Sequence, residues 1–158
     1  MILSRSADYG LRAMIYLARN PGSRHITLNE IAAAMHTPPF LLGRIMQRLV
    51  KGELVLSMKG HHGGFRVARD PRSITVAQII REIDGPFHMF DCTGIAECGL
   101  SGDCTMVEMF TRAERALDEV LRSVSLEDLA AHTRLPDRPG GGPASRFHLS
   151  MGNYGGGR

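Results

Sequence analysis

The apolar residues between positions 4 and 51 recur at helical spacing and predict three helices. The first begins at a serine cap, Ser4 or Ser6, and ends at about Arg19, before the Asn-Pro-Gly sequence at 20–22. The second begins with the capping-box sequence at 27–30. After a break at 36–37, the third begins at the two prolines 38 and 39 and ends at Gly52. Its predicted core stripe consists of Leu42, Ile45, Met46 and Leu49.

The pattern changes after Gly52. Apolar residues lie on either side of the sequence KGHHGG at 59–64, which predicts a two-stranded hairpin with a basic, glycine-rich tip. Two short helices joined by a tight turn, with basic residues on the second, are typical of a helix-turn-helix. The hairpin that follows has the form of a wing. We interpret His61 and His62 at its tip as phosphate contacts rather than as metal ligands.

The second half of the chain is predicted to be helical as well. One helix is expected over residues 74–84, a long one from Thr105 to about Val124, and a short one capped at Ser125. The long helix carries an apolar heptad stripe, which suits packing either on the chain's own core or along a partner helix. Because DNA readers of this kind usually act as symmetric pairs, we expect a homodimer. The predicted interface consists of Met106, Phe110, Ala113, Leu117, Val120 and Val124.

These elements predict a mainly α fold with a small β-hairpin wing. Residues 1–84 are expected to form a winged helix-turn-helix DNA-binding lobe, and residues 85–104 a cysteine loop. Residues 105–131 are expected to form the dimerisation helix and its cap. Residues 132–158 are rich in glycine and poor in apolar side chains, which predicts a flexible tail.

Charge is distributed unevenly along the 158 residues, although the net charge is only +3. Residues 1–69 contain ten Lys and Arg and three acidic residues, whereas residues 70–131 contain five and twelve. The basic half is the predicted helix-turn-helix, which favours a polyanionic partner. No apolar run approaches the roughly 20 residues of a membrane span, and the N-terminus has no signal-peptide pattern. We therefore expect a cytoplasmic protein with no membrane partner.

All three cysteines lie between positions 92 and 104, with five residues between successive ones. In a reducing compartment an odd number of cysteines indicates a ligand set rather than a disulfide framework. Zinc normally takes four ligands, whereas iron–sulfur clusters tolerate a fourth ligand other than cysteine. Three unrelated buried thiols are the alternative, but a glycine-rich loop is poor core material. The residues thus favour a metal or iron–sulfur site, and the three cysteines alone do not identify its fourth ligand.

Taken together, these features resemble the Rrf2 family of bacterial winged-helix regulators. The resemblance rests on SADYGLRAMIYLA, KGHHGGFRVA, ITVAQIIREIDGP, the cysteine loop and SLEDLA, and covers roughly residues 1–131. It implies that Cys92, Cys98 and Cys104 bind an iron–sulfur cluster, 4Fe-4S in preference to 2Fe-2S, and that residues 38–51 form the recognition helix. The expected DNA-binding residues are Thr37, Pro39, Arg44, Arg48, Lys51, Lys59, Gly60, His61 and His62.

Cluster-binding members of the family differ in their fourth ligand. IscR-like members have a histidine three residues after the last cysteine, where this chain has Val107. NsrR-like members, which sense nitric oxide, have an aspartate in the first helix and an arginine one turn later, matched here by Asp8 and Arg12. The resemblance therefore implies Asp8 as a ligand, supplied from either subunit of a crossed dimer, with Arg12 behind it. The alternative is a surface ion pair, which is compatible with that role.

The expected function is a transcriptional repressor whose cluster senses nitric oxide, redox state or iron–sulfur status. Its expected partners are a pseudo-palindromic duplex operator, a second copy of the chain, and nitric oxide or an oxidant as signal. An IscR-like regulator of cluster biogenesis and a cluster-free or zinc-stabilised regulator of cysteine or iron metabolism are the alternatives. An electron carrier fits least, because it has no use for a basic winged lobe, and no nucleophile–base set indicates an enzyme.

Overall fold

A computed structural model describes residues 3–22, 24–60, 63–88 and 104–133. The elements follow the predicted order, and the expected mainly helical fold with a two-stranded wing is confirmed. Residues 89–103, which include Cys92 and Cys98, lie outside the described residues, as do His61, His62 and the tail from 134 onward. The elements are α1 (Arg5–Arg19), α2 (Leu28–Ala34), α3 (Pro39–Lys51), β1 (Val55–Met58), β2 (Gly64–Val67), a 3₁₀ turn (Pro71–Ser73), α4 (Val76–Asp84), α5 (Thr105–Ser123) and α6 (Leu126–His132).

Four of these helices begin at a side-chain cap. The Ser4 hydroxyl accepts a hydrogen bond from the Ala7 N–H at 3.0 Å and starts α1. The other three have reciprocal capping boxes, which satisfy amides of the first turn that have no partner within the helix. These boxes join Thr27 to Glu30, Thr75 to Gln78 and Ser125 to Asp128.

The start of α4 differs from the prediction. The apolar pattern predicted a helix from Ile74, but Ile74 has extended backbone angles and the helix begins at Val76. The cause is the Thr75 cap, since its side chain accepts from the Gln78 N–H at 3.3 Å. Ile74 is fully buried, and its carbonyl accepts from the Leu126 N–H at 2.7 Å. Ile74 therefore packs in the core although it lies in an extended segment before the helix.

The core of the lobe lies where α1 packs against α3 and α4. The predicted stripe of α3 is buried as expected. At the crossing, Gly10 has no side chain, and an added Cβ would overlap the Cδ1 of Ile83 and approach the Cγ2 of Ile45 to 3.2 Å. Glycine at this position therefore allows α1 to lie close to both helices.

The wing is a short antiparallel hairpin that is attached to the segment before α2. Its register runs from Val55 opposite Val67 to Met58 opposite Gly64. Phe65 exchanges two main-chain hydrogen bonds with Ile26, of 2.8 and 2.9 Å. Gly64 has a φ of 151°, and an added Cβ would collide with the Ile26 carbonyl. The glycine is therefore required by this close approach.

The last turns of α5 connect it to the lobe. Leu121 and Val124 pack against the core, whereas no residue of α5 is fully buried. Asp118 accepts hydrogen bonds from Arg81 of α4 at 3.2 Å and from Arg122 at 2.5 Å. None of the helices in the described ranges is long and apolar enough to cross a membrane.

Candidate nucleic-acid interface and cluster site

The outward face of α3 is polar and basic. Its buried stripe faces the core, and the exposed residues recur at i, i+4, i+7, i+8 and i+11, so they share the opposite face. An exposed helix face with several cations suits entry into the major groove of DNA. We call this set the reading face: Phe40, Arg44, Gln47, Arg48 and Lys51.

Phe40 and Arg44 contact each other at the start of this face. Phe40 is 76% exposed, and the guanidinium carbon of Arg44 lies 4.7 Å from the centre of its ring. This distance is typical of a cation–π contact. Sequence reasoning selected Arg44 but missed Phe40, although the i, i+4 spacing of the two residues was a signal that they would touch.

Arg48 has a second role within the lobe. Its guanidinium donates a hydrogen bond to the main-chain carbonyl of Ile83, in the last turn of α4. The carbonyls of a last helical turn have no partner within the helix, so this bond satisfies one of them. The expected contact between Arg48 and base edges stays a prediction, and this hydrogen bond competes with it.

Thr37 and Pro39 lie at the turn that precedes the reading face. Thr37 is only 4% exposed, and its hydroxyl donates to the Met35 carbonyl at 3.3 Å. We therefore leave Thr37 out of the proposed DNA contacts. Pro39 is exposed at the first helical position, and no side chain caps the first turn of α3.

The tip of the wing carries the remaining predicted DNA contacts. Lys59 and Gly60 are exposed beyond the end of β1, and the Gly63 N–H donates to the Gly60 carbonyl at 2.9 Å. A groove of about 520 Å³ separates the wing from α3, and its lining includes Gln47, Val50 and Lys59. The structure thus places the described wing residues beside the reading face. His61 and His62 lie outside the described residues.

Cys104 is the one predicted thiol ligand in the described part of the chain. It occupies the N-cap position of α5 and is unpaired and partly exposed. Its carbonyl accepts from the N–H groups of Val107 and Glu108, at 3.0 and 3.4 Å. Within the described ranges no three His, Cys, Asp or Glu side chains are grouped to hold a metal. Since two of the three cysteines lie outside those ranges, the predicted ligand set stays a prediction.

Asp8 and Arg12 form a surface ion pair, which is the alternative to the ligand role of Asp8. The Asp8 carboxylate accepts from Nε and a terminal nitrogen of Arg12, at 2.9 and 2.8 Å, and both side chains are nearly half exposed. Nearby, the Ser4 hydroxyl donates to the Asp84 carboxylate at 2.6 Å. The first turn of α1 is therefore attached to the end of α4, from which the chain continues to the cysteines.

The predicted dimer stripe of α5 is only partly covered. Val120 is 60% exposed and Met106 is 46% exposed, whereas Phe110, Ala113 and Leu117 are half-buried. Val124 differs from the rest because it packs on the lobe's own core. Half of the eight large apolar side chains exposed in the described residues lie on this helix: Met106, Val107, Met109 and Val120.

Comparison with known proteins places this arrangement among transcriptional regulators. The family model described as "Rrf2: Iron-dependent Transcriptional regulator" matches residues 3–132. The chain is 29% identical over 131 residues to the transcriptional regulator NsrR of Oceanobacillus iheyensis, across 82% of this chain and 89% of that protein.

Two solved structures share the fold as well as part of the sequence. CymR, the global cysteine regulator of B. subtilis, matches with a TM-score of 0.72 and 31% identity, over 85% of this chain and 99% of that one. IscR of T. potens matches with a TM-score of 0.65 and 27% identity, over 86% and 94%. The similarity therefore extends over the winged lobe and the helices that follow it.

Proposed function

This chain belongs to the Rrf2 family of DNA-binding transcriptional regulators, and from that premise we propose that it is a homodimeric repressor controlled by an iron–sulfur cluster. The membership confirms the resemblance seen in the sequence. Its relatives are regulators, and this chain is a regulator rather than an enzyme. The homodimer, the repressor role, the operator, the cluster and the signal are the parts that we propose.

The reading face of α3 is the observation that carries the proposal. We place Arg44 against a guanine, because a guanidinium donates two parallel hydrogen bonds to its O6 and N7 atoms. Lys51 and Lys59 are placed against phosphates, which makes binding weaken as salt is raised. The first turn of α3 has no side-chain cap, and a phosphate oxygen fits its free amides.

The apolar surface of α5 supports the dimer. Packed against the same helix of a second copy, its heptad stripe would bury Met106 and Val120, the exposed members. A symmetric dimer presents two reading faces to two half-sites about one helical turn, ~34–36 Å, apart. The proposed operator is accordingly pseudo-palindromic.

Three thiolates and one carboxylate form a set of ligands that suits an iron–sulfur cluster. Thiolates of Cys92, Cys98 and Cys104 are the usual ligands, and the carboxylate of Asp8, from either subunit, suits a fourth position that exchanges readily. When bound, the cluster supplies iron that reacts with nitric oxide or an oxidant. Asp8 is accessible on the surface, and Arg12 donates hydrogen bonds to both oxygens of its carboxylate. We favour 4Fe-4S over 2Fe-2S and nitric oxide as the signal.

Anaerobic purification followed by a visible spectrum and iron and sulfide analysis tests the cluster. We expect a brown protein, near-complete loss of the cluster in Cys98→Ala, and a retained cluster with altered spectrum and nitric-oxide response in Asp8→Ala. Arg12→Ala is the matched control, because it breaks the same ion pair but keeps the carboxylate. If Asp8→Ala has the spectrum and the response of the wild type, Asp8 is a surface ion-pair residue only.

The similarity to CymR and IscR supports two further candidates. The CymR match favours a cluster-free or zinc-stabilised regulator of cysteine or iron metabolism, and the IscR match favours a regulator of cluster biogenesis. The same preparation separates them. Colourless protein with zinc or no metal supports the first candidate. A cluster that is indifferent to nitric oxide but alters DNA affinity supports the second.

A further inference from the structure

Phe40 is the most exposed of the large apolar side chains in the described residues, at 76%. It lies at the second helical position of α3, directly after Pro39, on the reading face. Side chains of a helix lean toward its N-terminus, and the N-terminal residues of a recognition helix are those that contact base edges. The exposed ring therefore stands at the end of α3 that approaches the bases.

Arg44 has its guanidinium over the Phe40 ring, one turn further along the helix. A long arginine side chain is flexible, and contact with a ring restricts it to fewer orientations. No ion pair or hydrogen bond to Arg44 is present among residues 3–22, 24–60, 63–88 and 104–133. The ring is thus the contact that orients the guanidinium in the described structure.

We propose that Phe40 determines operator specificity in two ways: its ring packs against the 5-methyl group of a thymine in the major groove, and it positions Arg44 for the neighbouring guanine. Among the four bases only thymine presents a methyl group in that groove, and phenylalanine suits apolar contact with it. One turn of an α-helix spans 5.4 Å and one base step 3.4 Å. Side chains one turn apart therefore reach neighbouring base pairs.

The test uses the full chain and an operator selected with it from a random duplex library. Each thymine of the half-site is replaced by uracil, which removes only the methyl group. Wild-type protein should lose affinity about fourfold at one thymine beside a guanine, the factor expected for one buried methyl group. Phe40→Ala should bind the thymine and uracil duplexes equally, and it should lose less affinity for random duplex than for the operator.

Phe40→Leu separates the two roles, because leucine keeps an apolar surface but has no ring for Arg44. This variant should keep most of the preference for thymine over uracil. It should respond less than the wild type to 7-deazaguanine, which removes the N7 acceptor that Arg44 uses. Arg44→Ala should not respond to 7-deazaguanine at all.

Three outcomes overturn the proposal. One is a wild-type protein that is insensitive to every thymine-to-uracil change; another is a Phe40→Ala protein that keeps that sensitivity. The third is an equal loss of affinity by Phe40→Ala on operator and random duplex. The inference rests on DNA binding through α3 and not on the cluster. A selection that enriches no sequence would refute the proposed function itself, whereas an enriched operator with unchanged Phe40 variants would refute this inference alone.

Discussion

The guanidinium of Arg48 on α3 is hydrogen-bonded to the main-chain carbonyl of Ile83 in the last turn of α4. The next residue, Asp84, accepts a hydrogen bond from Ser4 at the start of α1. The end of α4 is therefore attached both to the helix that carries the reading face and to the helix that carries Asp8. A displacement of the end of α4 would therefore act on both helices through these two hydrogen bonds.

Replacing Arg48 tests whether its bond to Ile83 stabilises the lobe. Arg48→Ala should lower the free energy of unfolding by about 1–2 kcal/mol, because a carbonyl at a helix end loses a charged donor. Lys51→Ala is the control, since it removes the same charge from the same helix face without that bond. Denaturation by urea measures both. Equal stability of the two variants would show that the bond to Ile83 does not stabilise the lobe.

Gly10→Ala tests the close crossing of α1 and α4. The added methyl group would overlap the Cδ1 atom of Ile83, so we expect a loss of about 1–3 kcal/mol of stability from overpacking. Ile83→Val, which removes that carbon, should cost about 0.5–1.5 kcal/mol alone but restore part of the loss in the double variant. Thermal or urea unfolding of the wild type, the two single variants and the double variant measures these losses. Strictly additive losses would show that the overlap is relieved elsewhere.

The capping box of α2 predicts a dependence of stability on pH. Hydrogen bonds from the Thr27 main-chain N–H, the Thr27 hydroxyl and Arg24 lower the pKa of the Glu30 carboxyl. A group whose pKa is lower in the folded state stabilises the protein above its unfolded pKa and loses that effect as pH falls through the folded pKa. The stability difference between wild type and Glu30→Gln should therefore be largest near neutral pH.

Urea denaturation from about pH 6 to about pH 3 spans the range in which glutamate titrates and measures this difference. It should narrow toward the acidic end, where both proteins carry a neutral side chain at position 30. Glu119→Gln, at an exposed position of α5 with no hydrogen bond or ion pair among the described residues, is the control and should show no such trend. A constant difference over the whole range would contradict the assigned cause.

Leu117→Asp tests the proposed dimer through α5. The change places a charge in the middle of the heptad stripe, where desolvation would make the packed dimer unfavourable, so we expect monomers. Arg115→Asp introduces the same residue on the opposite, exposed side of the helix and should remain dimeric. Sedimentation velocity distinguishes the two states. A dimeric Leu117→Asp protein would place the interface on another surface.

Local sequence was sufficient for most of the secondary structure. The caps at Thr27 and Ser125 and the proline start of α3 act within four residues of themselves, so they can be recognised without the fold. For α1 the sequence left Ser4 and Ser6 as alternatives, and the structure has Ser4 as the cap. The start of α4 was the exception. Its Thr75–Gln78 box is equally local, but the buried Ile74 beside it looked like a helical position.

The candidate site was predicted in outline by residue type and spacing. The basic character of the reading face and the exposure of Arg44 and Lys51 follow from charge and helical period, and the exposure of Lys59 follows from its place at the tip of the hairpin. The chain also showed three thiols at regular intervals, although only Cys104 lies in the described part of the structure. Family membership followed from the same motifs, because they span almost the whole matched range.

What the sequence determined by itself is what depends on near neighbours along the chain: most helix starts and ends, the hairpin and the amphipathic stripe of α3. Tertiary structure decided which polar side chains are hydrogen-bonded to residues far along the chain and which are buried. Arg48 meets a carbonyl 35 residues away, and Thr37 is buried by the packing of the turn. Such contacts depend on how helices cross, and a spacing pattern holds no information on which side chains that crossing covers.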